Sequence, residues 1–390
     1  MCDAEFIEIR VPRTLVGMGA TSGLGDLLKS LSPKRILIVT DRGVAGTGIV
    51  DTVQASLVSA HLEADVFDGC GVEAPVSGIE QLTQKVKSGR YDLLIGVGGG
   101  SVMDTTKAAS ILAANEKAMV QDLLEGKPFH KSVPKILIPT TAGTGSEWST
   151  AAVITTDTSD DRTNPYISPL NLPEAAIIDP ALTKDLSARA TADTGMDALA
   201  HAIEGYTCCR ANFLTDLYAS TAIRLISKSI GPAYAKGCLR MADRYQMSIG
   251  ASFAMLAGSV AGVGLAHFMN IALGKRAGIT HGSAVSLMLP YVMEYNLISA
   301  PEKFAEVARL LGENTNGLST RDAALKSISA VRVLLSDLNM PQRLSEVGIT
   351  AADIPGLVDE LMTYQSFPLG LMNPREVRSE DATEIYMKAL

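Results

Sequence analysis

The chain has 390 residues, of which 47% are hydrophobic and 19% charged, with a formal net charge of -8 and a pI near 5.3. That length exceeds what one hydrophobic core usually supports, so two domains are expected, and the composition excludes a disordered polypeptide. An acidic balance without Lys/Arg runs excludes a nucleic-acid footprint.

In chain order, the opening MCDAEFIEIR has neither a basic nor an apolar leader region, so no secretory signal is expected. FIEIRV (6–11), RILIVT (35–40), ADVFD (64–68), LLIGVG (93–98), KILIPT (135–140) and AAIID (175–179) are short, apolar and rich in branched residues, which predicts strands. Amphipathic stretches such as VSGIEQLTQKVKSG between them predict helices, and the alternation implies a parallel sheet covered on both faces. After Pro180 no convincing strand run remains, and helical periodicity takes over. The expectation is an α/β dinucleotide-binding domain over 1–180 and an all-helical domain over 181–390.

Two loops in the first half are suited to phosphate. In LLIGVGGGSVMDTTK, Gly98, Gly99 and Gly100 let backbone approach an anion, and the helix opening at Ser101 offers unpaired N–H groups. It is neither a Walker A loop nor a strict GxGxxG, and Asp104 and Lys107 read equally as ordinary helix residues. In ILIPTTAGTGSEWS a second strand runs into Thr140, Thr141 and Thr144, hydroxyls that a pyrophosphate and ribose require. Asp41 ends the second strand, where an acid accepts from an adenosine ribose 2′-OH and favours NAD over NADP; a turn-capping Asp is the competing reading.

The second half holds a candidate metal set. Asp197 and His201 in TGMDALAHAIEGYT are four residues apart, on one face of a helix, with Glu204 either supporting them or facing solvent. His267 lies in a stretch without Asp, Glu, Lys or Arg, Ser252 to Gly274, that is long enough to span a bilayer but reads better as a helix buried in a bundle. His281 follows a Gly-containing turn. One carboxylate and three imidazoles suit Fe(II) or Zn(II) with room for a substrate oxygen. The five cysteines are scattered without a CxxC, which fits a reducing, cytoplasmic setting.

GGGSVMDTTK (98–107), PTTAGTGSEWS (139–149), TGMDALAHAIEGY (194–206), THG (280–282) and NPR (373–375) together resemble the iron-containing (group III) alcohol dehydrogenases, in the right order along the chain. The resemblance implies an α/β domain and a helical domain, with metal and substrate in the cleft between them. It assigns Asp197, His201, His267 and His281 as ligands of Fe2+ or Zn2+, and through it as catalytic. Gly98, Gly99, Gly100, Ser101, Asp104, Thr140, Thr141 and Thr144 would bind NAD(H), with Asp41 at the ribose. A small alcohol/aldehyde pair would be the substrate, in a homodimer or higher assembly without nucleic-acid or membrane partners. Three positions depart from the family pattern: Ile271 replaces a further histidine, Gly258 an aromatic residue, and Trp148 a small aliphatic one, so a reshaped substrate pocket is expected. The same fold also serves hydroxyacid–oxoacid transhydrogenases and maleylacetate reductases, and a non-catalytic NAD-binding protein is the reading from another class.

Overall fold

The computed structural model describes residues 8–156, 163–363 and 372–390. The chain divides into two compact units, the first ending at Lys184 and the second starting at Asp185, just after the short 3-10 turn Pro180–Thr183.

In the first unit, β1 (Arg13–Val16), β2 (Ile36–Val39), β3 (Ala64–Phe67), β4 (Leu93–Gly98) and β5 (Lys135–Pro139) are followed by a hairpin, β6 (Ala151–Thr155) with β7 (Thr163–Ile167), and by β8 (Ala175–Ile178). Six of them form an all-parallel sheet in the order β1-β8-β5-β4-β2-β3, while the hairpin pairs antiparallel on its own. Alternation along each strand fills both faces. Ile36, Ile38, Ile95, Ile136 and Ile177 pack with Leu27, Val53 and Leu57 of α1 (Leu24–Lys29) and α3 (Ile49–Ser59); α2 (Arg42–Ala45) is a single turn before α3. Leu37, Val39 and Leu94 pack on the other face against Ile79, Leu82 and Val86 of α4 (Val76–Gly89), with Val102 and Ile111 of α5 (Gly100–Ala114) and Val120 and Leu123 of α6 (Val120–Leu124). A sheet buried on both sides is why β2, β4 and β5 read as unbroken apolar runs rather than alternating ones.

Two expectations need correction here. The first strand is Arg13–Val16, not FIEIRV: Phe6 and Ile7 lie outside the described residues, and Glu8–Val11 form no strand. Pairing with β8 selects the segment, since Gly17 N–H also donates to the Ile178 carbonyl at the end of that ladder. The hairpin β6–β7 was not anticipated.

The second unit contains α7 (Ala188–Thr207), α8 (Phe213–Lys236), α9 (Met241–Ala261), α10 (Leu265–Ala277), α11 (His281–Asn296), α12 (Pro301–Leu310), α13 (Thr320–Asp337), α14 (Ile354–Thr363) and a last helix Ser379–Ala389. No strand occurs among its described residues. The uncharged stretch is not one buried helix but two, α9 and α10, bent by 107°. Gly262 has φ +107 at the break, a conformation that side chains disfavour, so the glycine permits the corner. No single helix among the described residues is long and apolar enough to cross a membrane.

Candidate functional site

In the first unit the chain passes from β2 outward to β3 and returns to place β4 on the other side of β2. Such a reversal opens a crevice at the carboxyl ends of the two strands, the usual dinucleotide position in open parallel sheets. Asp41 follows β2, Gly98–Ser101 close β4, and Thr140–Thr144 follow β5, so three adjacent strand ends carry the predicted cofactor residues other than Asp104, which lies within α5. The Thr40 hydroxyl donates to the Val97 carbonyl and ties the first two ends together.

The α5 amino terminus has no side-chain cap, which leaves its N–H groups available to an anion. A Cβ on Gly100 would stand 2.8 Å from Thr144 Cγ2, so the threonine loop lies directly on the glycine turn. The Ser101 hydroxyl accepts from Glu73 N–H at 2.9 Å, an arrangement that leaves its own proton to donate. Asp41 caps α2 by accepting from Val44 N–H at 2.9 Å, the turn-capping reading of the sequence, with its second oxygen not used in that bond. Asp104 differs from the others. Its Oδ1 accepts from the Ser146 hydroxyl at 2.6 Å and faces Lys107 Nζ at 3.4 Å, and its Oδ2 accepts from Val153 N–H at 3.0 Å. The carboxylate is therefore engaged inside the unit, holding the loop after β5 on α5. Lys107 completes the node, fully buried, donating to Ser146 Oγ at 2.6 Å and to the Ala151 carbonyl at 2.8 Å. The Trp148 indole N–H donates to Thr14 Oγ1 at 3.1 Å and so packs this loop toward β1.

The second unit gathers the predicted ligand set. Ser187 caps α7 by accepting from Ala190 N–H, and along the buried face of that helix Asp197, His201 and Glu204 follow one another at helical spacing. The Gly205 backbone lies against the α9 backbone at Ala257 and Gly258, a Cβ on Gly205 standing 3.2 Å from Gly258 N, so Gly205 permits a close helix crossing, while a Cβ on Gly258 would meet only Val263 at 3.5 Å. Glu204 accepts from Gly264 N–H (2.9 Å) and Ala266 N–H (2.7 Å), capping the start of α10, and meets His267 Nδ1 at 2.5 Å. Sequence reasoning had left Glu204 open; its carboxylate is turned inward and fixes the His267 ring. His281 opens α11 behind its cap Thr280. Gly282 follows because a Cβ there would sit 2.1 Å from the Asp193 carbonyl oxygen, which explains the THG triplet sterically. Asn270 Nδ2 lies 2.7 Å from His281 Nδ1 and orients that ring. Nothing in the sequence singled it out except its place one turn after His267.

Asp197 Oδ1 thus has three imidazole nitrogens around it: His281 Nε2 at 3.4 Å, His267 Nε2 at 3.5 Å and His201 Nδ1 at 3.9 Å. The ligand atoms of Asp197, His267 and His281 all lie within 4.8 Å of one another, while His201 stacks on His267 with ring centroids 4.2 Å apart. Asp197, His201 and His267 are buried and His281 is exposed. His61 and His130 are exposed in the first unit. Burial drives the His201 pKa down to about 3 and pulls His267 the same way, but the adjacent carboxylates of Asp197 and Glu204 lift His267 to about 9.

Asp197 Oδ1, His201 Nδ1 and His267 Nε2 are buried and make no hydrogen bond among the described residues, although buried polar atoms are almost always paired. Separations of 3.4–3.5 Å match the edge of a tetrahedron with metal–nitrogen bonds of ~2.05 Å, an edge of about 3.3 Å. A divalent cation fits these donors, and Glu204 is the outer acceptor that a ligating imidazole requires for its second ring nitrogen.

Comparison with known proteins agrees with both halves. Residues 12–180 match the family model described as iron-containing alcohol dehydrogenase, and residues 191–390 the C-terminal model of the same family. The chain is 35% identical to long-chain-alcohol dehydrogenase 1 of Geobacillus thermodenitrificans over 97% of this chain and 95% of that one. It is 34% identical to the NAD-dependent methanol dehydrogenase of Bacillus methanolicus, over 97% and 98% of the two chains. The crystal structure of a 1,3-propanediol oxidoreductase superposes with a TM-score of 0.94 at 34% identity, covering 99% of this chain and 100% of that one. Fold, ligand geometry and likeness over the full length converge, and the chain belongs to the iron-containing alcohol dehydrogenase family.

Proposed function

We propose that the chain is an NAD(H)-dependent oxidoreductase that interconverts a small alcohol and its aldehyde, its first unit binding the cofactor and its second the metal and substrate. Asp197, His201, His267 and His281 would hold one Fe2+ or Zn2+. The single observation carrying this reading is the group of buried, unpaired donor atoms converging on Asp197 Oδ1. When bound, the metal polarises the substrate oxygen and the nicotinamide gives or takes the hydride.

The chain's own residues position and pre-orient. Amides at the start of α5, the Ser101 hydroxyl and Thr140, Thr141 and Thr144 bind the pyrophosphate and ribose, and the free oxygen of Asp41 accepts from the adenosine ribose. Asp104 acts indirectly, by fixing the threonine loop. Glu204 keeps the His267 proton on Nδ1 and so leaves the Nε2 lone pair facing inward, while Asn270, its amide nitrogen 2.7 Å from His281 Nδ1, fixes the orientation of the second ring. Ile271, half-buried one turn beyond His267, offers no titratable group, so the substrate proton leaves through water or a Ser/Thr hydroxyl. Trp148 of the first unit and Gly258 of the second both depart from the family pattern, which supports a substrate other than ethanol. The scattered cysteines, free at all four described positions, support a cytoplasmic setting, and the family supports a homo-oligomer.

The test is anaerobic reloading of metal-free protein with Fe(II) or Zn(II), followed by NADH oxidation against neutral and anionic aldehydes. Metal-dependent turnover of a single aldehyde is expected. Bound NADH without turnover of any single substrate would move the reading to a transhydrogenase that needs a second substrate.

A further inference from the structure

We propose that Arg189 is a positioning residue for the metal centre, setting the place of His281 through Asp193 and Ser283; this rests on the metal reading above. Arg189, Asp193, Asp197 and His201 succeed one another at four-residue intervals on α7, so they form one stripe along the helix. Arg189 Nε donates to Asp193 Oδ2 at 3.1 Å, and its Nη2 donates to Ser283 Oγ. Ser283 in turn donates to Asp193 Oδ1 at 2.8 Å. The three side chains close a ring between the first turns of α7 and α11.

This ring is not an ordinary surface ion pair. Asp193 is 6% exposed and Ser283 fully buried, so the acid depends on these partners for neutralisation. Arg189 stands in the first turn of α7, where the helix dipole disfavours a cation, and it precedes its acid partner, the weaker order for an i,i+4 pair. Helix stability therefore gives no reason for an arginine here; the cross-helix contact does. The same turn of α11 is seated by the Gly282 contact with the Asp193 carbonyl. Two residues before Ser283, His281 is half-exposed, with Asn270 as its one ring hydrogen-bond partner among the described residues. Its distance to Asp197 therefore follows the seating of the α11 first turn, which the ring fixes.

The experiment is Co(II) titration of the metal-free full-length chain, followed by d–d absorption, for wild type, Arg189→Gln, Arg189→Lys and Ser283→Ala. For Arg189→Gln we expect a 10–100-fold weaker Co(II) affinity, the size typical of lost outer partners of ligands. An altered d–d band should accompany it, and the metal-free melting temperature should fall, because the buried Asp193 loses its cation. Ser283→Ala should move affinity and band the same way. Lysine, a single point donor, cannot reach Asp193 and Ser283 together and should recover only part of the affinity. Unchanged affinity and band in folded Arg189→Gln, or in Ser283→Ala should the first variant not fold, overturns the proposal. Wild-type protein that binds no Co(II) overturns the metal reading itself, and the proposal with it.

Discussion

The two units each bury a polar node on a helix, and the nodes look alike in sequence: Asp104 and Lys107 on α5, Asp197 and His201 on α7. In the first, every charged atom ends on a protein partner: Lys107 on Ser146, Ala151 and Asp104, and Asp104 on Ser146 and Val153. In the second, Asp197 Oδ1, His201 Nδ1 and His267 Nε2 end on none. A satisfied buried node contributes to folding and costs heavily when one member is removed. An unsatisfied one is a liability to the metal-free fold, tolerated because its donors await something that is not protein.

That contrast makes opposite predictions for single substitutions. Lys107→Met removes the cation from a fully buried node, leaves Asp104 charged and short of a partner, and should cost about 3 kcal/mol or more of stability. Cofactor affinity should fall with it, because the loop bearing Thr140–Thr144 loses its anchor. Asp197→Asn should leave metal-free stability within about 1 kcal/mol of wild type, or raise it, while removing metal binding. Urea unfolding of the metal-free proteins, paired with metal titration, reads both. If Asp197→Asn destabilises the metal-free chain as much as Lys107→Met does, the two nodes are of one kind.

Glu204→Gln sharpens the comparison, because Glu204 belongs to both kinds of node. It satisfies two backbone N–H groups of α10 and also holds His267. A glutamine keeps one acceptor oxygen, so a stability loss of about 1 kcal/mol should accompany a 10–100-fold loss of metal affinity. A stability loss with intact metal affinity would reduce Glu204 to a helix cap.

Much of this architecture was legible in the sequence, for reasons that also mark where legibility ends. Parallel strands buried on both faces read as unbroken runs, which gave five of the six sheet strands and the α4 boundaries. RTLV was hidden beside the more apolar FIEIRV, since an edge strand is chosen by the partner it finds, β8, rather than by its own hydrophobicity. The break between α9 and α10 depends on the backbone angle at Gly262, which composition does not reveal. Asp197 and His201 were visible because four-residue spacing puts side chains on one face. The direction of Asp104 was not, since a helix start offers several directions and tertiary contact with Ser146 and Val153 decides among them. Asn270 and Arg189 act across helices, at no fixed sequence offset from what they hold.

A pH-dependent effect concerns a second buried cation of the first unit. Lys135, at the start of β5, donates to the Leu170 carbonyl at 2.6 Å. Burial first, and then the Lys107 charge, press its pKa from 10.5 down to about 7, with Glu174 opposing. Below pH 7 folded and unfolded chains both carry the proton, and the cost of the buried charge is fully felt. Between about 7 and 10.5 the unfolded chain keeps the proton and the folded one releases it, so this group's contribution rises with pH by up to about 1.4 kcal/mol per unit. Lys135→Met should flatten that rise in urea midpoints. Equal slopes in wild type and Lys135→Met would mean that the folded chain keeps this proton, with Glu174 neutralising it more fully than burial opposes it.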